Sequence, residues 1–192
     1  NLKPINAVFY PTGNFRFRHK AIGVDHLETA GDALNSLLTH PDCNAIKCIS
    51  LYNLAVASFG QLDFARSLIT AWAVVERLID VLWSQLIRTN AQDNTARFLS
   101  PPTSGKRAEK LKSNTMTAST RIEILSITNL ISEREYLEIE KSRKARNDWI
   151  HSLKNISHED SISCAFSAAL LIKKIYGLEV QTKYQAWGSW AE

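Results

Sequence analysis

The chain of 192 residues has only three cysteines, Cys43, Cys48 and Cys164, and they form no CxxC pair. An odd number of cysteines without ligand spacing offers neither a disulfide framework nor a cysteine metal site. The apolar patterning around them predicts that all three are small core residues of a protein in a reducing, cytoplasmic setting.

Long apolar runs and the usual cofactor motifs are also missing. Stretches such as 71–75 and 168–172 fall far short of the roughly 20 apolar residues that span a bilayer. None of the seven glycines belongs to a phosphate-cradling loop, and the five histidines are scattered without the spacing of metal ligands. Serine hydrolase and kinase signatures are absent as well. The sequence therefore predicts no metal, no cofactor and no membrane partner.

The composition, with 45% apolar and 22% charged residues, is that of one globular domain. The periodic part of the chain predicts a helical domain over 23–180. Residues 1–22 differ, because 15–18 alternate apolar and basic side chains after a turn signal at 11–14. They are expected to form a short extended arm or to be the remnant of a longer chain, and residues 181–192 are expected to be a tail.

Apolar residues recur at three- and four-residue spacing through most of the chain, which is typical of amphipathic helices. The longest such segment, 64–89, is expected to form the centre of the core. Ser132 and Ser157 each begin a capping box, which marks the start of a helix. A loop rich in serine and proline is expected at 90–105. The other predicted helices cover about 24–40, 44–60, 106–111, 119–130, 133 through the segment 146–151, and 158–177.

The segment 146–151, Arg-Asn-Asp-Trp-Ile-His, carries residue types that suit metal-independent cleavage of RNA. A guanidinium can hold a phosphate by two contacts, and an imidazole can move protons near neutral pH. The net charge of +4 is mild for a nucleic-acid binder, but Lys141, Arg143, Lys144 and Lys154 crowd around the segment. A solvated helix with acids toward its start and bases toward its end would show the same charge pattern without any chemistry.

The spacing within this segment decides which side chains share a face. On a regular helix Asn147 and His151 lie on one side, whereas Arg146 and His151 are about 140° apart. Three arrangements would still bring arginine and histidine together. The helix bends near Trp149, the arginine side chain curls around the helix, or a second chain completes the site.

Arg146 falls on a stripe with Ile139, Ile150 and Leu153, so its stem is expected to be half buried and its guanidinium to need a fixed anion. Glu76 lies among apolar residues of the long helix, where a carboxylate is costly unless it is paired. Glu76 is therefore the expected partner that orients Arg146. A purely structural buried pair is the alternative.

Arg146-Asn147-x-x-x-His151 resembles the motif of the HEPN superfamily, small all-α domains whose ribonuclease members carry an arginine, roughly four to six residues and then a histidine. The long helix through 71–78, with an aromatic residue and an acid, is similar to the Apea-like branch of microbial defence and toxin proteins. The resemblance covers about residues 25–178. It implies an all-α, HEPN-like bundle of about five to seven helices.

The resemblance implies a homodimer in which two motifs meet in one cleft and cut single-stranded RNA without a metal, leaving 2′,3′-cyclic phosphate and 5′-hydroxyl ends. Arg146 and His151 would be catalytic, and Asn147 would hold a phosphate oxygen or fix the imidazole tautomer. RNA contacts are expected from the basic residues nearby, Arg143, Lys144 and Lys154.

Two other functions remain open for this chain. Some HEPN domains have lost activity and serve as interaction modules, in which case Arg146 and His151 would be only structural or nucleotide-contacting residues. The basic surface would otherwise bind RNA or DNA without cutting it. The similarity to the Apea-like branch implies a role in microbial defence, toxin-antitoxin control or stress response, with an antitoxin or a sensor domain as a further partner.

Overall fold

A computed structural model describes residues 24–92 and 116–180, and these residues form six α-helices and no strand. The helices are α1 (Val24–Thr39), α2 (Ala45–Gly60), α3 (Phe64–Gln92), α4 (Ala118–Ile127), α5 (Glu133–Ser152) and α6 (His158–Tyr176). The all-α prediction is confirmed for this part of the chain.

Several predicted segments lie outside the described residues. They are the N-terminal arm at 1–22, the helix at 106–111, the tail at 181–192 and the loop at 90–105 beyond its first three residues. Those first three residues belong to α3, which ends at Gln92 instead of near Thr89. The predicted start of this loop was therefore a few residues too early.

The long helix α3 lies at the centre of the bundle, in contact with α2, α4, α5 and α6. Leu68, Val75 and Ile79 expose 1% of their surface or less. Burial of each such aliphatic side chain contributes about 1.5–3 kcal/mol relative to its exposure. Other buried residues of α3 are Ala71, Trp72, Val74, Leu78, Leu82, Trp83, Leu86 and Ile87. These residues cover more than one face of α3, so the other helices pack around it.

Local hydrogen bonds define the starts of α5 and α6. The Oγ of Ser132 accepts from the backbone N–H of Glu135 at 3.3 Å, and the Glu135 carboxylate accepts from the Ser132 N–H at 2.6 Å. Ser157 and Asp160 repeat this exchange at the start of α6. Both predicted capping boxes are confirmed. Gly177, with φ of 70°, ends α6 in the left-handed conformation that glycine adopts without strain.

A polar cluster joins the loop between α1 and α2 to the rest of the bundle. The Asp42 carboxylate accepts hydrogen bonds from the Arg77 guanidinium at 2.6 Å and from the Tyr176 hydroxyl at 2.8 Å. The Asp42 N–H donates to Nδ1 of His40 at 3.0 Å, and the His40 ring packs edge-on against Tyr176. Burial alone would raise the pKa of Asp42, but the hydrogen bonds from Tyr176 and Arg77 outweigh it and lower that pKa.

The cysteines follow the core prediction in two cases of three. Cys48 and Cys164 are buried, whereas Cys43 is exposed because it lies in the loop before α2. All three are free thiols.

Within 24–92 and 116–180, no helix combines the length and apolar character that crossing a membrane requires.

We expect Asp42→Asn to lower the free energy of unfolding by about 1–3 kcal/mol, because it leaves Arg77 and Tyr176 without their charged acceptor. The lowered pKa also makes this stabilisation depend on pH. It is present above the ordinary aspartate pKa and is lost as the pH falls through the lower folded-state pKa. Urea unfolding at a series of pH values between about 3 and 7 measures both effects.

The exposed Asp32 of α1 provides the control, since Asp32→Asn removes the same charge from a site without a hydrogen-bonding partner among the described residues. If the acid-dependent loss of stability is equally steep in both variants, the cluster around Asp42 is not its source.

Leu153 ends α5 with φ of 50°, a left-handed conformation that costs L-residues about 1–2 kcal/mol. Its side chain is 81% exposed, so little packing offsets this strain within the chain. We expect Leu153→Gly to raise the free energy of unfolding by about 0.5–1 kcal/mol. Leu137→Gly, at an exposed position inside the same helix, should lower it by about 1 kcal/mol. A destabilised Leu153→Gly variant would contradict this account.

Candidate functional site

The helix that carries the segment 146–151 is held in place by polar contacts with α6. The Ser163 hydroxyl donates to the Glu138 carboxylate at 2.7 Å, and the Ser142 and Ser167 hydroxyls lie 3.3 Å apart. Ser142 and Ser167 are buried, and serines are small enough to let two helices approach closely. These contacts involve the middle of α5 and decide which of its sides remains open to solvent.

Arg146 lies on the side of α5 that turns toward the bundle, and it is half buried as predicted. Its guanidinium donates from Nη1 to Oδ1 of Asn147 at 3.0 Å. Asn147 is about 100° further around the helix, toward the exposed side. The hydrogen bond therefore links the arginine head to a residue that lies nearer to the exposed side of the helix.

His151 is exposed on the opposite side of α5, four residues after Asn147 and on the same face as that residue. The helix continues unbroken from Glu133 to Ser152, so no break at Trp149 swings Arg146 and His151 together. Arg146 contacts the neighbouring Asn147, and no hydrogen bond joins its side chain to His151 among the described residues. Completion by a second chain remains a prediction.

Glu76 does not pair with Arg146 among the described residues, and its expected burial is wrong because the side chain is exposed. Glu76 lines an open cleft between α3 and the start of α4, beside Asp80 and Arg121. The carboxylate therefore reaches water directly and needs no buried counter-ion. The apolar residues around Glu76 in the sequence belong to faces of α3 that other helices cover.

The three basic residues predicted to contact RNA have different surroundings. Arg143 is held by Glu140, three residues earlier, through hydrogen bonds of 2.7 and 2.8 Å from Nε and Nη2. These hydrogen bonds raise the pKa of Arg143 and occupy its guanidinium. Lys144 is exposed and makes no ion pair within the described ranges. Lys154 lies 3.4 Å from the Asp148 carboxylate, and both side chains are largely exposed.

An open groove of about 180 Å³ runs beside α5, between that helix, the connection at 153–157 and the start of α6. Its lining includes Lys141 and Lys144 on one wall and Lys154 on the other. Sequence reasoning missed Lys141 as a candidate site residue. A signal for Lys141 was present in the sequence. Residues 141, 144, 148 and 151 are three, four and three positions apart, and this helical spacing places Lys141 on the same side of α5 as His151.

The end of α5 presents apolar side chains to solvent. Ile150 is 40% exposed and Leu153 is 81% exposed, although both were placed on a half-buried stripe. Ile139, about three turns before Ile150 on the same stripe, is fully buried. The stripe thus passes from the core into solvent as α5 extends beyond the helices that cover its middle.

The chemical groups that this region offers are a guanidinium, an amide, an imidazole and several ammonium groups. In the portion of the chain that the structure describes, no group of three or more His, Cys, Asp or Glu side chains is arranged to hold a metal ion.

No protein-family model, curated protein or solved structure matches the chain.

Proposed function

We propose that this protein is a metal-independent endoribonuclease of the HEPN type, whose active site is formed by two copies of the chain. The hydrogen bond from Arg146 to Asn147 carries this proposal. It links the guanidinium to an amide that lies on the same side of α5 as the exposed His151. The last turns of α5 therefore carry the arginine, amide and imidazole groups that RNA scission needs.

The reaction requires a base for the RNA 2′-hydroxyl, an acid for the leaving 5′-oxygen, and a cation for the extra negative charge of the five-coordinate phosphorus. His151 serves as base or acid, because its imidazole is exposed and can reach a proton of the substrate. Arg146 stabilises the phosphorane oxygens through charge-assisted hydrogen bonds. The products are a 2′,3′-cyclic phosphate and a 5′-hydroxyl.

A second copy supplies what one chain lacks. Arg146 and His151 start from positions about 140° apart on α5, so a single helix cannot surround one phosphate with both side chains. The exposed Ile150 and Leu153 lie at the same end of the helix and favour burial against another surface. Two copies packed there around a two-fold axis would face their motifs toward one cleft and provide two histidines, one as base and one as acid.

The biological setting follows from the HEPN resemblance alone. A cytoplasmic ribonuclease of this kind would act in microbial defence, toxin-antitoxin control or stress response. An antitoxin or a sensor domain would then restrain it until RNA cleavage is needed.

A specific observation favours a second candidate, a helical interaction module without catalysis. Helix α1 exposes Leu27, Leu34 and Leu38, each by more than half of its surface. Apolar side chains in one such row are typical of a surface that binds another protein. In this alternative Arg146 and Asn147 stabilise the end of α5, and the protein cuts no RNA.

We expect the purified protein to cut single-stranded RNA in the presence of a chelator, and His151→Ala to reduce the rate by about 100-fold or more. Gel analysis of the fragments, with detection of cyclic phosphate ends, measures the reaction. His158→Ala removes another partly exposed imidazole, at the start of α6, and should leave the rate nearly unchanged. Equal cleavage by the His151→Ala variant would exclude the proposed mechanism.

Stability separates catalysis from a structural role for Arg146. Because Arg146 pairs with Asn147 and not with a buried carboxylate, Arg146→Ala should cost only about 0.5–1.5 kcal/mol of stability. A large loss of RNA turnover with this small loss of stability supports the ribonuclease. A stable wild-type protein that cuts no RNA supports the interaction module.

Mixing two inactive variants tests the shared active site. Arg146→Ala and His151→Ala chains should each be inactive alone, whereas a dimer that contains one of each keeps one arginine and one histidine in the cleft. We expect cleavage to return in part when the two chains are co-expressed with different tags and purified as the mixed dimer. A purified mixed dimer as inactive as either parent would show that each chain works alone or that the motif is not catalytic.

A further inference from the structure

The groove beside α5 brings together lysines from two separate parts of the sequence, α5 and the connection that follows it. Lys141 and Lys144 line it from the helix, and Lys154 lines it from the connection that leads into α6. The groove is partly open to solvent, so a ligand can reach its lysines from outside. Two carboxylates, Asp148 and Asp160, also line it, so that three lysines against two carboxylates leave a net charge of +1.

Both carboxylates already have partners. Asp160 accepts from the Ser157 N–H at 3.2 Å and from the Ser157 hydroxyl at 2.8 Å, as part of the capping box. Asp148 is 3.4 Å from the ammonium group of Lys154. Lys141 and Lys144 form no ion pair with any described residue. Their two positive charges are therefore available to an anion.

Arg143, another basic residue near the motif, differs from Lys141 and Lys144 because a carboxylate already binds it. Its guanidinium faces Glu140 on the same helix and is held there by two hydrogen bonds. A phosphate would have to displace that carboxylate before it could bind Arg143. Lys141 and Lys144 need no such exchange, because only water and salt ions compete for them.

The lysines and His151 lie on one side of α5. At 1.5 Å per residue, Lys144 is about 10 Å and Lys141 about 15 Å from His151 along the helix axis. Lysine side chains are long and flexible, and their ammonium groups act as point charges that tolerate different phosphate positions. The row therefore suits a polyanion that extends away from His151 and does not suit a single small anion.

We propose that this groove binds the sugar-phosphate backbone of single-stranded RNA next to the scissile bond, with Lys144 and Lys141 contacting successive phosphates and Lys154 closing the other side. The proposal rests on the ribonuclease function and adds the path of the substrate to it. Contacts of this kind position a strand without reading its bases. The groove thus gives affinity and register, and does not select a sequence.

Binding can be measured apart from cleavage in the His151→Ala background of the full chain. Fluorescence anisotropy of a labelled oligouridine over a range of salt concentrations gives both the affinity and its salt dependence. We expect Lys141→Gln with Lys144→Gln to weaken binding about tenfold and to flatten the salt slope by about 0.7 for each phosphate that the protein no longer neutralises. Lys154→Gln should weaken binding further.

Lys47→Gln is the matched control, because Lys47 is an exposed lysine on α2, outside the groove. A double lysine variant that binds RNA as tightly as this control overturns the proposed path. Binding of oligoglutamate, but not of RNA, through the groove lysines would also overturn it and indicate an acidic protein partner.

The two proposals can fail separately. If the wild-type protein cuts RNA and the groove variants bind it normally, the path is wrong and the ribonuclease stands. If the groove variants lose RNA binding but the wild-type protein never cuts, the path stands and the ribonuclease is wrong.

Discussion

Burial of α3 on several of its faces is the constraint on which the rest of this structure depends. Helices α2, α4, α5 and α6 all contact it, and its aliphatic residues lose nearly all of their exposed surface. Removing that surface from water is the largest favourable contribution in a bundle of this size. Each surrounding helix must therefore turn its apolar side toward α3 or a neighbour, which leaves its other side for function.

Helix α5 shows how this constraint positions the candidate site. Its middle is held on α6 through Ser142, Ser167 and the Glu138 to Ser163 hydrogen bond, so it cannot rotate to bury His151. Its last turns extend past the covering helices, where Ile150 and Leu153 are exposed. The motif thus lies at an exposed end of the bundle.

The charged groups around the motif were only partly predictable. Sequence reasoning placed Arg146 as half buried and Asn147 on the side of His151, because both follow from helical spacing. It failed to identify the partner of Arg146, which is the neighbouring Asn147 and not the distant Glu76. Spacing gives the direction of a side chain from its own helix, but not which other helix covers that direction.

Local sequence signals were enough to predict the starts of α5 and α6 and the end of α6. Capping boxes, apolar periodicity and the glycine after α6 act through hydrogen bonds and steric limits within a few residues. The packing of α5 against α6, in contrast, places Lys154 across one groove from Lys141 and Lys144. That outcome depends on how α5, α6 and their connection pack, and packing joins residues whose separation in the chain carries no local signal.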